Sequence, residues 1–231
     1  MTGQNGRASG PQASRSARPA LRYERDPAAI YAESFATVAR EARLDRFPET
    51  LVPLVTRLIH SCGMVEVADR LAYSPEAGAI GRQALAAGAP ILCDCEMVAA
   101  GISRSFLRAD NPVIVTLNTP GIPARAAAMG TTRSAAAVEE WLPHLEGAVV
   151  AIGNAPTALF HLLERLDAGW PRPAVILGFP VGFVGAAESK AELAGNPRDC
   201  DFVTLRGRRG GSAMASAAVN ALAAGLGEAV R

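Results

Sequence analysis

The chain has 231 residues, 49% of them hydrophobic and 19% charged, with a formal net charge of +1, enough for one large domain with a substantial core. That balance excludes the basic footprint of a nucleic-acid binder or an acidic-membrane binder, and no uncharged apolar run approaches the roughly 20 residues of a membrane span. A soluble cytoplasmic protein is expected, and the four cysteines are too few for a disulfide framework and not spaced as paired zinc ligands, so reduced thiols and no bound metal are expected.

Residues 1–21 are rich in Gly, Ser, Arg and Ala without an apolar centre, which reads as a disordered leader before a single domain at 22–231. Asp26-Pro27 is an N-cap followed by proline at the first helical position. The helix it starts runs to about Ala42, with Ser34 in its middle, where a serine ordinarily faces solvent or bonds back to the preceding turn. Residues 49–66 follow Phe47-Pro48 and hold the helix around which the chain is organised, closed by Gly63 as a C′ residue. At ~100° per residue, Leu51, Leu54, Val55 and Leu58 form one apolar stripe, with Thr56, Arg57 and His60 roughly opposite.

Met64–Val67 reads as a short extended stretch. Ser74-Pro75-Glu76 opens a helix that stops at Gly88. The apolar run 89–94 reads as a buried strand, and residues 95–100 as a helix ending at Gly101. Strands are then expected at 113–117, 148–152, 174–177 and 202–205, and helices at 131–142, 156–166, 186–194 and 212–224. Asn118-Thr119-Pro120-Gly121 reads as a turn. Strand and helix alternation with strands apolar on both sides specifies an α/β fold: a single domain with a central, mainly parallel sheet flanked by helices on both faces.

Arg57 and His60, three residues apart on one helical face, place a fixed cation beside a group that exchanges protons near neutral pH. Ligands of open parallel sheets bind beyond the carboxyl ends of the strands, and three such junctions are glycine-rich, at 152–157, 178–190 and 206–212. Their backbone N–H groups and Arg206, Arg208 and Arg209 suit a ligand with several negative groups. None has the phosphate-loop or dinucleotide spacing, which disfavours a nucleotide enzyme. Gly130-Thr131-Thr132-Arg133-Ser134 reads as an N-cap or an anion contact. Cys93-Asp94-Cys95 reads as a buried strand end or a metal or redox pair, His144 as a surface residue and His161 as a packed one. Lys190 beside Glu188 reads as a solvated cap or a catalytic lysine. Nucleophilic acyl chemistry has no support.

Arg57-Leu58-Ile59-His60-Ser61-Cys62-Gly63-Met64-Val65-Glu66, Ile91-Leu92-Cys93-Asp94-Cys95-Glu96-Met97-Val98, Ala151-Ile152-Gly153-Asn154-Ala155-Pro156-Thr157 and Gly178-Phe179-Pro180-Val181-Gly182-Phe183-Val184-Gly185 through Lys190 together resemble the precorrin-8X methylmutase family, of the aerobic type. The resemblance continues through Gly210-Gly211-Ser212-Ala213-Met214 and covers about residues 22–222. It implies an isomerase of cobalamin biosynthesis that moves a methyl group of precorrin-8X from C-11 to C-12 to give hydrogenobyrinate. It also implies a homodimer with substrate near the subunit interface and no cofactor. Residue by residue, the family's catalytic histidine falls on His60 and its substrate contacts on Ser34 and Arg57. Two alternatives stay open: the same reaction on cobalt-precorrin-8 of the anaerobic route, and a non-catalytic corrinoid-binding carrier.

Overall fold

The computed structural model describes residues 21–224; apart from Leu21, the expected leader lies outside these residues. A six-stranded sheet forms the centre, made of β1 (Leu71–Tyr73), β2 (Ile91–Cys93), β3 (Val113–Val115), β4 (Val149–Ile152), β5 (Val175–Gly178) and β6 (Asp201–Leu205). Its order is β1-β6-β5-β4-β2-β3. β1 runs antiparallel to β6, and every other pairing is parallel.

The central strands are buried on both sides, as near-continuous apolar runs in a parallel sheet must be. Alternate residues divide between two cores. Cys93, Ala151, Leu177 and Val203 face one, and Leu92, Val150, Ile176 and Phe202 face the other. The first core is covered by α1 (Pro27–Glu41), α2 (Val52–Cys62), α3 (Ala77–Ala86), α4 (Glu96–Gly101) and, deepest, α9 (Ser212–Ala224). The second is covered by α6 (Arg133–Val138), α7 (Pro156–Asp167) and α8 (Ala186–Gly195), while α5 (Ile122–Ala128) packs on α6.

α2 lies directly against α9. Leu51, Leu54, Val55 and Leu58 are each at most 1% exposed, so the stripe expected from the sequence is the face that meets the core. α9 is built largely of Ala and Ser, which allows close approach. A Cβ at Gly153 would stand 2.7 Å from the Ser212 Cα, and one at Gly101 would stand 2.7 Å from the Ser216 Cβ.

Some elements differ from the sequence reading. Residues 65–70 are a 3₁₀ helix rather than extended chain, and β1 follows it as an antiparallel edge strand. Gly121, with φ of +93°, does end a turn, but Ile122-Pro123 then opens the short helix α5. The helix expected at 131–142 breaks after Val138 into 3₁₀ turns that run to His144 and contain Pro143, because a proline cannot continue an α-helical hydrogen-bond ladder.

Candidate active site

α1 starts where Asp26 accepts a hydrogen bond from the Ala28 N–H (2.9 Å), just ahead of Pro27. Val38 is its one buried residue, so α1 contributes little to the core. What it does contribute is one face, Tyr31, Ser34 and Phe35 at the i, i+3, i+4 spacing, laid on the end of α2.

α2 ends in a left-handed residue, Gly63 (φ +68°), whose N–H bonds to the Ile59 carbonyl at 2.7 Å. Stopping the helix there leaves His60 in its last turn, where its imidazole is held on three sides. Ser34 Oγ is 2.8 Å from His60 Nδ1. The Tyr31 ring lies 5.3 Å from the imidazole, tilted by 33°, and Phe35 meets it edge-on at 5.4 Å. Among the described residues, Nε2 has no protein partner and stays available for a ligand.

Arg57 lies one turn earlier and, unlike the outward-facing His60, is buried. Its guanidinium sits 5.7 Å from the Phe35 ring centroid and 5.4 Å from that of Phe106, a cation–π arrangement suited to a poorly hydrated cation. The part of the face opposite the apolar stripe that carries Thr56 and Arg57 is therefore not open to water, since both are buried and Phe35 of α1 and Phe106 of the 3₁₀ turn at Arg104–Phe106 lie against Arg57, whereas His60 at its end is exposed. Partial burial and the nearby Arg57 charge both disfavour imidazolium and hold the His60 pKa below its ordinary value. Burial likewise lowers the pKa of Arg57, with the Tyr31 hydroxyl acting in the opposite sense.

Beside His60 runs a groove of about 520 Å³, lined by Ile30, Val38, Ile59 and Val65 together with the exposed Glu24, Glu33 and Glu41. That acidic lining repels carboxylates. The cationic side lies elsewhere, at the loop after β6. Arg209 pairs with Glu66 at 2.7 Å, and the Arg206 N–H bonds to the Arg70 carbonyl at 2.9 Å, which brings the loop against the segment that leaves α2. Arg208 is exposed and lies over Phe183 at 5.5 Å. Phe183 and Val184 are 84% and 88% exposed, an apolar arm beside a cation.

The other candidates resolve as follows. Cys93, Asp94 and Cys95 are buried. Asp94 accepts the N–H groups of Gly153 (2.9 Å), Asn154 (2.9 Å) and Ala155 (2.7 Å), so it shapes the loop after β4. Burial raises its pKa against those three bonds. Burial also pushes the Cys93 thiol far up, leaving it inert as a nucleophile. No group of three or more His, Cys, Asp or Glu among the described residues is placed to hold a metal ion.

His161 is packed, with Nε2 at 2.5 Å from Glu139 Oε1, and His144 is exposed. Thr132 is an N-cap: its hydroxyl accepts from the Ala135 N–H (3.1 Å) and lies 2.8 Å from the Thr157 hydroxyl. Lys190 is no solvated cap. It is fully buried, because α8 turns it inward under the loop after β6, where Nζ donates to the Arg209 carbonyl.

Sequence reasoning brought Arg57 and His60 together and missed Tyr31, Phe35 and Phe106. The signal for the first two was present, since Tyr31-x-x-Ser34-Phe35 occupies one helical face with Ser34.

A family model described as precorrin-8X methylmutase matches residues 29–224. The chain is 64% identical over 201 residues to the precorrin-8X methylmutase of Pseudomonas aeruginosa, covering 87% of this chain and 97% of that one. It is 56% identical over 205 residues to the precorrin-8X methylmutase of a Sinorhizobium species, covering 89% and 98%. The crystal structure of the precorrin-8X methylmutase of Thermus thermophilus superposes with a TM-score of 0.77 at 40% identity, covering 84% of this chain and 94% of that one. With the fold, the motifs and similarity over most of its length in agreement, the chain belongs to the precorrin-8X methylmutase family.

Proposed function

We propose that this protein is the precorrin-8X methylmutase of cobalamin biosynthesis, moving the ring-C methyl group from C-11 to C-12 to give hydrogenobyrinate, with His60 as the proton donor and acceptor. The observation that carries the assignment to His60 is its setting: Nδ1 is engaged by Ser34, two aromatic rings fix the plane, and Nε2 is left for the ligand.

The residues supply an acid–base cycle. Ser34 can donate its hydroxyl proton to Nδ1, leaving the proton on Nε2, or accept from Nδ1–H, leaving Nε2 as a base. Donation starts from the imidazolium, with Ser34 accepting from Nδ1–H: Nε2–H gives its proton to the ring-C nitrogen, which draws electrons from the ring and lets the methyl group migrate, and the neutral ring left behind, protonated at Nδ1, takes the proton back at Nε2. A lowered His60 pKa makes the protonated ring a stronger acid and its return to neutrality easier. The buried Arg57 orients a substrate carboxylate and stabilises negative charge at short range. Ser34 thus acts both beside the substrate and on the histidine.

Precorrin-8X is an apolar macrocycle bearing acetate and propionate carboxylates. Arg57, Arg206 and Arg208 suit those carboxylates, and exposed Phe183 and Val184 suit the ring face, whereas the acidic lining of the groove repels the carboxylates. The protein works as a homodimer with the site near the subunit interface, a reading supported by the family pattern and by how open the site is in one chain. The metal-free substrate is favoured over its cobalt form because the relatives at 64% and 56% identity carry the metal-free name.

The test is anaerobic incubation of precorrin-8X with wild-type and His60→Ala protein, following the absorption change and titrating product into both. Conversion should fall by ~10² or more in the variant, the usual scale for a positioned acid–base group, with product affinity retained. Equal turnover would remove His60 from the mechanism, and binding without conversion by either protein would favour a corrinoid carrier.

A further inference from the structure

Lys190 has no role in the acid–base cycle, yet it is a cation with no exposed surface, and such groups are seldom buried unless something fixes them. Its Nζ donates to the Arg209 carbonyl. The Gly182 N–H donates to the preceding carbonyl, that of Arg208, at 3.2 Å, and the Gly211 N–H donates to the Phe179 carbonyl at 2.8 Å. The loops after β5 and β6 are thereby zipped together. The fit is close enough that a Cβ at Gly210 would collide with the Phe179 carbonyl oxygen and stand 2.6 Å from that of Pro180.

In a trans peptide the C=O and N–H point in opposite directions, and the described chain contains no cis bond. With the carbonyls of Arg208 and Arg209 both turned toward the 179–190 segment, the N–H groups of the next residues, Arg209 and Gly210, point away from it. Neither has a partner among the described residues. Successive outward N–H groups make an anion-receiving concavity, here flanked by the exposed Arg206 and Arg208.

We propose that Lys190 is a positioning residue for substrate: by holding the Arg209 carbonyl inward it aims the Arg209 and Gly210 N–H groups at one peripheral carboxylate of the macrocycle, which the arginines flank. This rests on the reading of the substrate given above. Lys190 never meets the substrate; it sets the direction of the donors that do.

The test uses Lys190→Met, which keeps the side-chain bulk and removes the donor. KM for precorrin-8X should rise about tenfold with kcat changed less than twofold. Affinity for hydrogenobyrinate should fall by a similar factor, while affinity for its methyl ester, which lacks the carboxylates, stays the same. Equal losses for acid and ester, or no loss for the acid, would overturn the proposal, since a merely structural lysine would weaken both alike. A second measurement needs no variant and decides the matter if Lys190→Met fails to fold. In the wild-type protein, amide exchange at Arg209 and Gly210 should slow on adding hydrogenobyrinate, and unchanged exchange at both would refute the assignment. Failure of wild-type protein to convert precorrin-8X would instead strike the substrate reading itself.

Discussion

His60 works under constraint from its neighbours, and each constraint has a measurable consequence. Burial and then Arg57 hold its pKa below 6.5, so an NMR titration of its ring protons should give a midpoint under that value. Arg57→Met removes the second cause and not the first, and the midpoint should move up while staying below 6.5; a downward move would deny the coupling. Ser34→Ala should leave the histidine ring in place between Tyr31 and Phe35 but free its tautomer. Single-turnover rates should then fall about tenfold, less than the ~10²-fold or more expected from losing the proton-transfer group itself, and an unchanged rate would confine Ser34 to substrate contact. Helical periodicity alone made Arg57 and His60 neighbours. It did not show that Arg57 is buried, because the rings that cover it, Phe35 and Phe106, come from segments remote in sequence.

Among the elements, the junction after β4 shows how burial was readable and purpose was not. The apolar run ending in Cys93-Asp94-Cys95 announced a buried strand end, but the three N–H groups that Asp94 receives lie some 60 residues away. Asp94→Ala would strand those donors, and unfolding by denaturant should show a loss of about 3 kcal/mol or more, on the scale of ~1–3 kcal/mol for each buried unsatisfied group. Gly153→Ala should cost about 1–3 kcal/mol through overpacking, since the added Cβ meets the Ser212 backbone at 2.7 Å; an unchanged midpoint would mean that α9 can retreat. The elements that went unread are the short ones. Leu71-Ala72-Tyr73 is a strand only because β6 pairs with it, and three residues carry no period. α5 hides behind a genuine turn. The longer helices and central strands were legible because their periodicity and glycine boundaries are local.

For the molecule as a whole, stability carries the signature of its buried cation. Burial depresses the Lys190 pKa from 10.5 to about 8. Between those values the unfolded chain binds the proton that the folded chain has released, so unfolding free energy rises with pH across that window. The gain is on the order of 3 kcal/mol at most, and below pH 8 it is absent. Chemical denaturation of wild type and Lys190→Met across this window should show the rise in the first and not the second; parallel curves would mean that other groups dominate.

The antiparallel strand that sequence could not announce has one further effect. From His60 the chain runs through a single 3₁₀ segment into β1, which is laddered residue for residue to β6, Leu71 on Leu205 and Tyr73 on Val203. β6 then leads straight into the arginine loop, and the Arg206 N–H bonds to the Arg70 carbonyl. His60 and the arginine loop are thus mounted on one ruler whose graduations are backbone hydrogen bonds. Exchanging side chains along it alters one group at a time, whereas adding or removing a single residue between Val65 and Arg70 would shift His60 relative to the arginines while leaving every one of those side chains intact.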